Sequence, residues 1–350
     1  MKRIGLIALL AIVTTVGVFA QDISLIGQDF EHLIVQLGDE LLPNLEQSAA
    51  WGAFPGLAVM PSDTGFFMTM GLGALLSGGI FQFAVPDNPA FEVLDIGPLM
   101  QAILDASGSE RATNVYNGVQ NFFPYPVTRT TIGYVLPAGV EMMVDFSIFP
   151  QFVANLATRI ASGADASISQ ITLNALHVGS KVRVPVLRDA GPFPAVSLGA
   201  AYSYAGLAIG YGDLGSIGPV ATGIGDLYLD GEFMVSTRIH SFGLDLQVSK
   251  ALGVFVPFIG VSPQYHVAQV AGHVGTSNAD FSAGIDLDSD GTTDSTYFGD
   301  HPDVTSVDND LSFLLHGGFD LNFEKFAMEF HGSWIPGTGS PGVFIGMRIQ

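Results

Sequence analysis

Phe326-Ala327-Met328-Glu329-Phe330-His331-Gly332-Ser333-Trp334 decides how this chain reads. Phe326, Met328, Phe330 and Trp334 fall on one face with Gly332, and Ala327, Glu329, His331 and Ser333 on the other. A period of two with one apolar and one polar face belongs to a β-strand. The preceding run repeats it: Leu311, Phe313, Leu315, Phe319 and Leu321 oppose Asp310, Ser312, His316, Asp320 and Asn322. Asn322 to Lys325 joins the two as a tight turn. In the last run Val343, Ile345, Met347 and Ile349 alternate with Arg348 and Gln350.

The pattern recurs upstream. Val140, Met142, Val144, Phe146 and Ile148 oppose Glu141 and Asp145. Leu176, Val178, Val182 and Val184 oppose His177, Lys181 and Arg183. Val196, Leu198, Ala200, Tyr202 and Tyr204 oppose Ser197, Gly199 and Ser203. The polar faces are rich in Gly, Ser and Thr with scattered charges of both signs, which suits a lumen better than a solvated sandwich surface.

Composition agrees. Mean hydropathy is +0.42 with 13% charged residues, yet 43 glycines and 26 phenylalanines are present. A helical membrane protein needs repeated apolar runs of about 20 residues. After the N-terminus only Gly65 to Val85 approaches that, and glycines interrupt it. The expected fold class is therefore all-β: a transmembrane antiparallel barrel of roughly ten to fourteen strands.

Lys2 and Arg3 precede an apolar run from Ile4 to Phe19 that ends in Val-Phe-Ala, the pattern of a signal peptide cut after Ala20. Removing Lys2 and Arg3 leaves 10 basic against 33 acidic residues, a net of −23. Such a surface repels nucleic acid. The absence of cysteine excludes disulfides and a lipid-modified N-terminal cysteine.

Short connections at 137–138, 188–192, 251–253 and 322–325 are expected on the periplasmic side. The long ones, 77–127, 149–169, 211–228 and 271–308, are expected outside. That assignment requires Gly231 to Lys250 to be one strand, with a bulge near His240 to absorb an apparent phase shift. Two outer segments carry helical patterns, Leu99, Met100, Ile103 and Leu104 after Pro98, and Phe152, Val153, Leu156 and Ile160. Exposed, these form a greasy groove or lid; packed together, they are merely structural. Asp22 to Ala50 is a third helical segment, with Leu25, Phe30, Leu33, Ile34, Leu37 and Leu41 on one stripe and Pro43 breaking it. It is expected to plug the lumen from the periplasmic side, the alternative being a partner-binding tail outside the barrel. The domains are thus a signal peptide (1–20), a helical plug (21–52) and a barrel (53–350).

This layout resembles the FadL-type family of outer-membrane transporters for long-chain fatty acids and other hydrophobic compounds, and also spirochaete outer-membrane proteins. The resemblance rests on the N-terminal segment, the outer helical patterns at Pro98–Ala106 and Phe149–Ile160, and the glycine-rich alternating strands. It implies fourteen strands, an N-terminal hatch, a ligand groove between outer loops and sideways exit into the membrane.

Among chemical motifs, Asp286, Asp288, Asp290 and Asp294 around Gly291 form either a structural calcium loop or an acidic solvated one. No cofactor beyond that calcium is expected. No serine elbow or phosphate-binding glycine loop is present, so no enzyme is expected. Arg129, Glu141, Asp145, Lys181, Arg183, Arg238, Asp310, Asp320, Glu329 and Arg348 are read as lumen charges, with Lys181 and Arg183 placed to attract a carboxylate head group. The expected function is passive uptake of a hydrophobic small molecule by a monomer in the outer membrane, in contact with membrane lipids. A general diffusion porin and a surface adhesin or structural barrel are the alternatives.

Overall fold

In the computed structural model, residues 23–50, 56–60, 65–77, 79, 82–85, 88–90, 117, 120–121, 123–148, 171–211, 217–222, 225–229, 231–276, 304–337 and 339–350 are described. The signal-peptide segment, the helical patterns at 98–106 and 149–160, and the acidic loop at 286–294 lie outside them.

One helix, α1 (Ile23–Ala50), precedes twelve strands: β1 (Phe66–Ser77), β2 (Phe123–Val135), β3 (Glu141–Ile148), β4 (Ile171–Leu187), β5 (Ala195–Tyr211), β6 (Ile217–Thr222), β7 (Gly225–Leu229), β8 (Gly231–Ser249), β9 (Phe255–Thr276), β10 (Val304–Phe323), β11 (Phe326–Ile335) and β12 (Ser340–Ile349). Ten of these close a barrel in the order β1-β12-β11-β10-β9-β8-β5-β4-β3-β2, each pair antiparallel. β6 and β7 form a separate hairpin between β5 and β8. Ten strands, not the fourteen implied by the FadL-type resemblance, complete the ring. The shorter chain closes sooner because β1 pairs directly with β12, Met68 opposite Ile349.

Burial is inverted relative to a soluble protein. Phe66, Leu72, Met142, Val144, Leu244, Ile259, Leu311, Ile345 and Met347 are exposed, whereas Asp145, Arg183, Asp320, Glu329 and Arg348 are buried. A barrel with an apolar outer wall and a polar interior is built to stand in lipid. Near the short-turn end the outer wall carries a girdle of phenylalanines. Phe319 stacks on Phe330 and Phe323 on Phe326, both at 4.9 Å between ring centroids.

The short connections 136–140, 188–194, 250–254 and 324–325 share one end, and all the long ones lie at the other. β8 is a single strand, as the orientation required, but it has no bulge. Its register against β5 runs unbroken from Ala195 opposite Ser249 to Tyr211 opposite Phe233. Strict alternation then turns Arg238 and His240 outward with Phe242, so Arg238 is not a lumen charge. The apparent phase shift is polar residues on the lipid-facing side, not a change of face. Asp310 keeps the inward parity of buried Ser312 but stands exposed at the long-loop mouth.

α1 occupies the lumen, touching seven barrel strands. It runs through Pro43 to Ala50 instead of stopping there. Leu41, Leu42 and Leu45 are all buried around the proline, so packing on both sides outweighs the one backbone bond it removes. The direction also differs from expectation. A Cβ at Gly38 would collide with Val270, and one at Gly272 with Ile34, so this part of α1 lies tight against the long-loop end of β9. Ser48 and Ala49 lie at mid-height, where the Ser48 carbonyl accepts from Arg129 Nη2 at 2.7 Å and the Ala49 carbonyl accepts from Ser203 Oγ at 2.7 Å. Residues 56–60 reach the short-turn end, where the Ala58 amide donates to Ser249 Oγ and the Met60 amide to Glu141 Oε1. The helix thus descends from the long-loop mouth.

Candidate functional site

The lumen has tiers. At the short-turn rim Leu57 and Met60 pack on Phe67, Val135, Met143 and Val256. Above them lies a charged tier. Arg348 Nη1 bridges Asp320 at 2.9 Å and Glu329 at 2.5 Å. Arg183 holds Glu141 through Nε at 2.9 Å and Nη2 at 2.5 Å, and reaches Gln247 at 3.2 Å. Asp245 accepts from Ser262 at 2.5 Å and lies 2.7 Å from His316. Higher still, apolar side chains face inward: Leu75, Val127, Ala205, Leu207, Val235, Ile239, Ala268 and Val270 are all buried. They meet the leucine stripe of α1, so the helix brings its own core into a barrel that would otherwise hold water.

Among the described residues the ladder is less complete in this upper tier. β3 ends at Ile148, and its pairing with β2 ends at Thr130 opposite Phe146. β2 nevertheless continues to Phe123, paired only with β1, and β4 continues to Ile171, paired only with β5. Between them, among the described residues, the ladder has a notch. Pro124 and Pro126 stand on β2 along it. Proline cannot donate to a ladder and is tolerated where a strand has a free edge. A small recess lies at the notch, lined by Ser48 of α1, Tyr125, Pro126 and Val127 of β2, Ser147 of β3, Ala175, Leu176 and His177 of β4, and Ala205 of β5. Tyr125, His177 and Ala205 are buried inside, while Pro126 and Leu176 lie on the outer wall, so the recess is bordered both from the lumen and from the lipid face.

Beneath it sits a cation-rich cluster. Asp145 lies 3.0 Å from Lys181, 3.2 Å from His177 and 3.8 Å from Arg129. One carboxylate thus faces two full cations and a histidine. Arg129 is the next inward residue below Val127, and Asp145 the next below Ser147, both notch residues. Lys181, singled out for a carboxylate head group, belongs to this cluster. Arg183 does not: it lies lower, held by Glu141 and Gln247. His331 faces the lumen beside Asp320, at 3.3 Å.

The remaining binding residues named from sequence, Leu99, Met100, Ile103, Leu104, Phe152, Val153, Leu156 and Ile160, fall outside the described residues, as do Asp286, Asp288, Asp290 and Asp294. What sequence reading missed is the notch. Residues 123–127 fall within the long connection read from sequence as 77–127, yet Phe-Pro-Tyr-Pro-Val is an alternating stretch that forms the start of β2.

No family model matches the sequence, and no curated protein matches it. Among solved structures, the chain is similar to the translocator domain of autotransporter NalP from Neisseria meningitidis, at 8% identity over 92% of this chain and 96% of that one, with a TM-score of 0.35. It is also similar to the outer membrane protease OmpT from Escherichia coli, at 8% identity over 83% of this chain and 97% of that one, with a TM-score of 0.34. Likeness of this size leaves the chemistry to the residues themselves.

Proposed function

We propose that this chain is an outer-membrane barrel that passively exchanges a hydrophobic small molecule with an anionic head, such as a long-chain fatty acid, between its lumen and the membrane. The supporting observation is the notch: a recess bordered by the luminal helix and by outer-wall residues, beside a cluster with more cations than carboxylates. The head group pairs with Lys181 and Arg129, while the chain extends over Pro126 and Leu176 into lipid. Burial of the chain supplies the driving force, about 0.8 kcal/mol per methylene, and no energy source is required. α1 stands where an axial aqueous path would run, which favours lateral exchange over a general diffusion porin or a purely adhesive or structural barrel.

The test is transfer of a fluorescent long-chain fatty acid into proteoliposomes, comparing the wild type with Ala205→Trp, which fills the notch from the luminal side. Wild-type transfer that is saturable and falls at least roughly tenfold in the folded variant supports the reading; on the rate scale tenfold is about 1.4 kcal/mol. Equal transfer by both proteins, or none above empty vesicles, refutes it.

A further inference from the structure

We propose that the outer wall carries a seat for the phosphate of an anionic membrane lipid, centred on Arg238. Among the strand residues whose burial is described, Arg238 is the one charged side chain on the lipid-facing side of the ten barrel strands. It makes no ion pair or hydrogen bond within the described residues. A guanidinium in an apolar wall needs a counter-ion, and the fork of N–H donors matches phosphate oxygens.

The surroundings are built for an anion. Gly206 opposes Arg238 on β5 and Gln269 opposes it on β9, so no bulky neighbour covers it on one side and an amide flanks the other. Tyr204 leans over Gly206, its hydroxyl 3.0 Å from where a Cβ would stand. His240, the next outward residue on β8, lies with its ring 5.2 Å from that of Tyr204 and its Nδ1 2.9 Å from the Tyr202 hydroxyl. Glu232, of the same parity on β8, stands six residues further toward the long loops, about 20 Å along the strand and too far to pair with the guanidinium.

Height decides the occupant. Outward Val248 begins the apolar band of β8, and Leu246, Leu244 and Phe242 continue it. Arg238 stands ten residues above Val248, which at ~3.3 Å per residue and a tilt of about 40° is about 25 Å, the height of a membrane barrel's apolar band. The guanidinium therefore meets lipid phosphates of the leaflet on the long-loop side. The seat rests on the lipid-facing wall alone and is independent of the transport reading.

Native mass spectrometry of the detergent-folded barrel, loaded with phosphatidylglycerol or phosphatidylcholine of matched chains, tests this. The wild type retains phosphatidylglycerol in preference. Arg238→Gln lowers that retention roughly tenfold, the size expected for a charge-assisted bond, and leaves phosphatidylcholine unchanged. Arg238→Lys restores part of it, and Tyr204→Phe lowers it less. All three keep the heat-modifiable gel mobility of the folded barrel, because the side chains stand outside the packed interior. Unchanged phosphatidylglycerol preference in Arg238→Gln overturns the proposal. So does displacement of the lipid by millimolar inorganic phosphate, which identifies a free-anion site, and so does a dimer that disappears with Arg238→Gln, which identifies a second copy of the chain.

Discussion

The charged tier of the lumen and the apolar tier above it are lined by the same strands, yet they do opposite things. In the lower tier the ring is fully laddered, and side chains from strands far apart in sequence lock across it, as Arg183 to Glu141 and Arg348 to Asp320 and Glu329. In the upper tier the inward residues are apolar, the helix is the filler, and among the described residues β2 and β4 have no ladder partner between them above Ile148. The lower tier fixes the barrel. The upper tier is where the proposal places exchange between lumen and lipid.

That division is open to test, beginning with the lower tier. Arg348→Met leaves Asp320 and Glu329 buried without their cation, and removing one partner of a buried pair costs about 3–5 kcal/mol. Urea unfolding followed by the heat-modifiable gel shift is expected to show that loss. A change under about 1 kcal/mol would mean that the tier is hydrated and carries little of the stability.

Leu45→Ala acts above. Leu45 is buried on α1, and such truncations cost about 2–4 kcal/mol of local packing. Because α1 contributes nothing to the ladder, the expected result is a looser helix in an intact barrel. Single-channel recordings should then show conductance bursts that the wild type lacks, at an unchanged urea midpoint for the wall. If the midpoint falls as far as in Arg348→Met, the two tiers are one cooperative unit.

Ser203→Ala removes one hydrogen bond to the Ala49 carbonyl, worth about 1 kcal/mol. Its expected effect is a modest rise in burst frequency, which sharpens the estimate of how firmly the end of α1 is held.

The smallest effect belongs to the rim. Asp189, in the turn between β4 and β5, accepts from Lys250 Nζ at 2.5 Å and from the Ala251 amide at 2.7 Å. The hydrogen bond from Lys250, then that from Ala251, holds its carboxyl below the ordinary value of 3.8. With the folded value depressed, this contribution is present above the unfolded value and lost as pH falls through the folded one. The pair is largely exposed, so Lys250→Gln should cost under about 1 kcal/mol at neutral pH, and the difference from wild type should vanish in acid.

The wall was legible in sequence because period-two alternation is a local signal. Phe326 to Trp334, Leu311 to Leu321 and Met142 to Phe146 read directly onto their observed faces. The tiers were not, because which charge meets which depends on register between strands 42 residues apart for Glu141 and Arg183. Arg238 was misplaced for a related reason: the phase shift between Ile239 and Phe242 invites a bulge near His240, whereas unbroken pairing turns Arg238 to lipid. The start of β2 lay within a stretch read as an outer connection, and Pro124 and Pro126 weigh against a strand locally. The direction of α1 follows from small residues such as Gly38 and Gly272 meeting Val270 and Ile34, and no local pattern reports that.

The central claim is that a hydrophobic ligand occupies the notch, and photoaffinity labelling tests it most directly. The folded barrel is irradiated with a diazirine-bearing long-chain fatty acid, with and without excess unlabelled acid, and the labelled residues are mapped by peptide mass spectrometry. The account predicts saturable labelling, suppressed by the competitor, on Tyr125, Pro126 and Leu176. Labelling spread evenly over the outward faces of all ten strands and unaffected by competitor would contradict it.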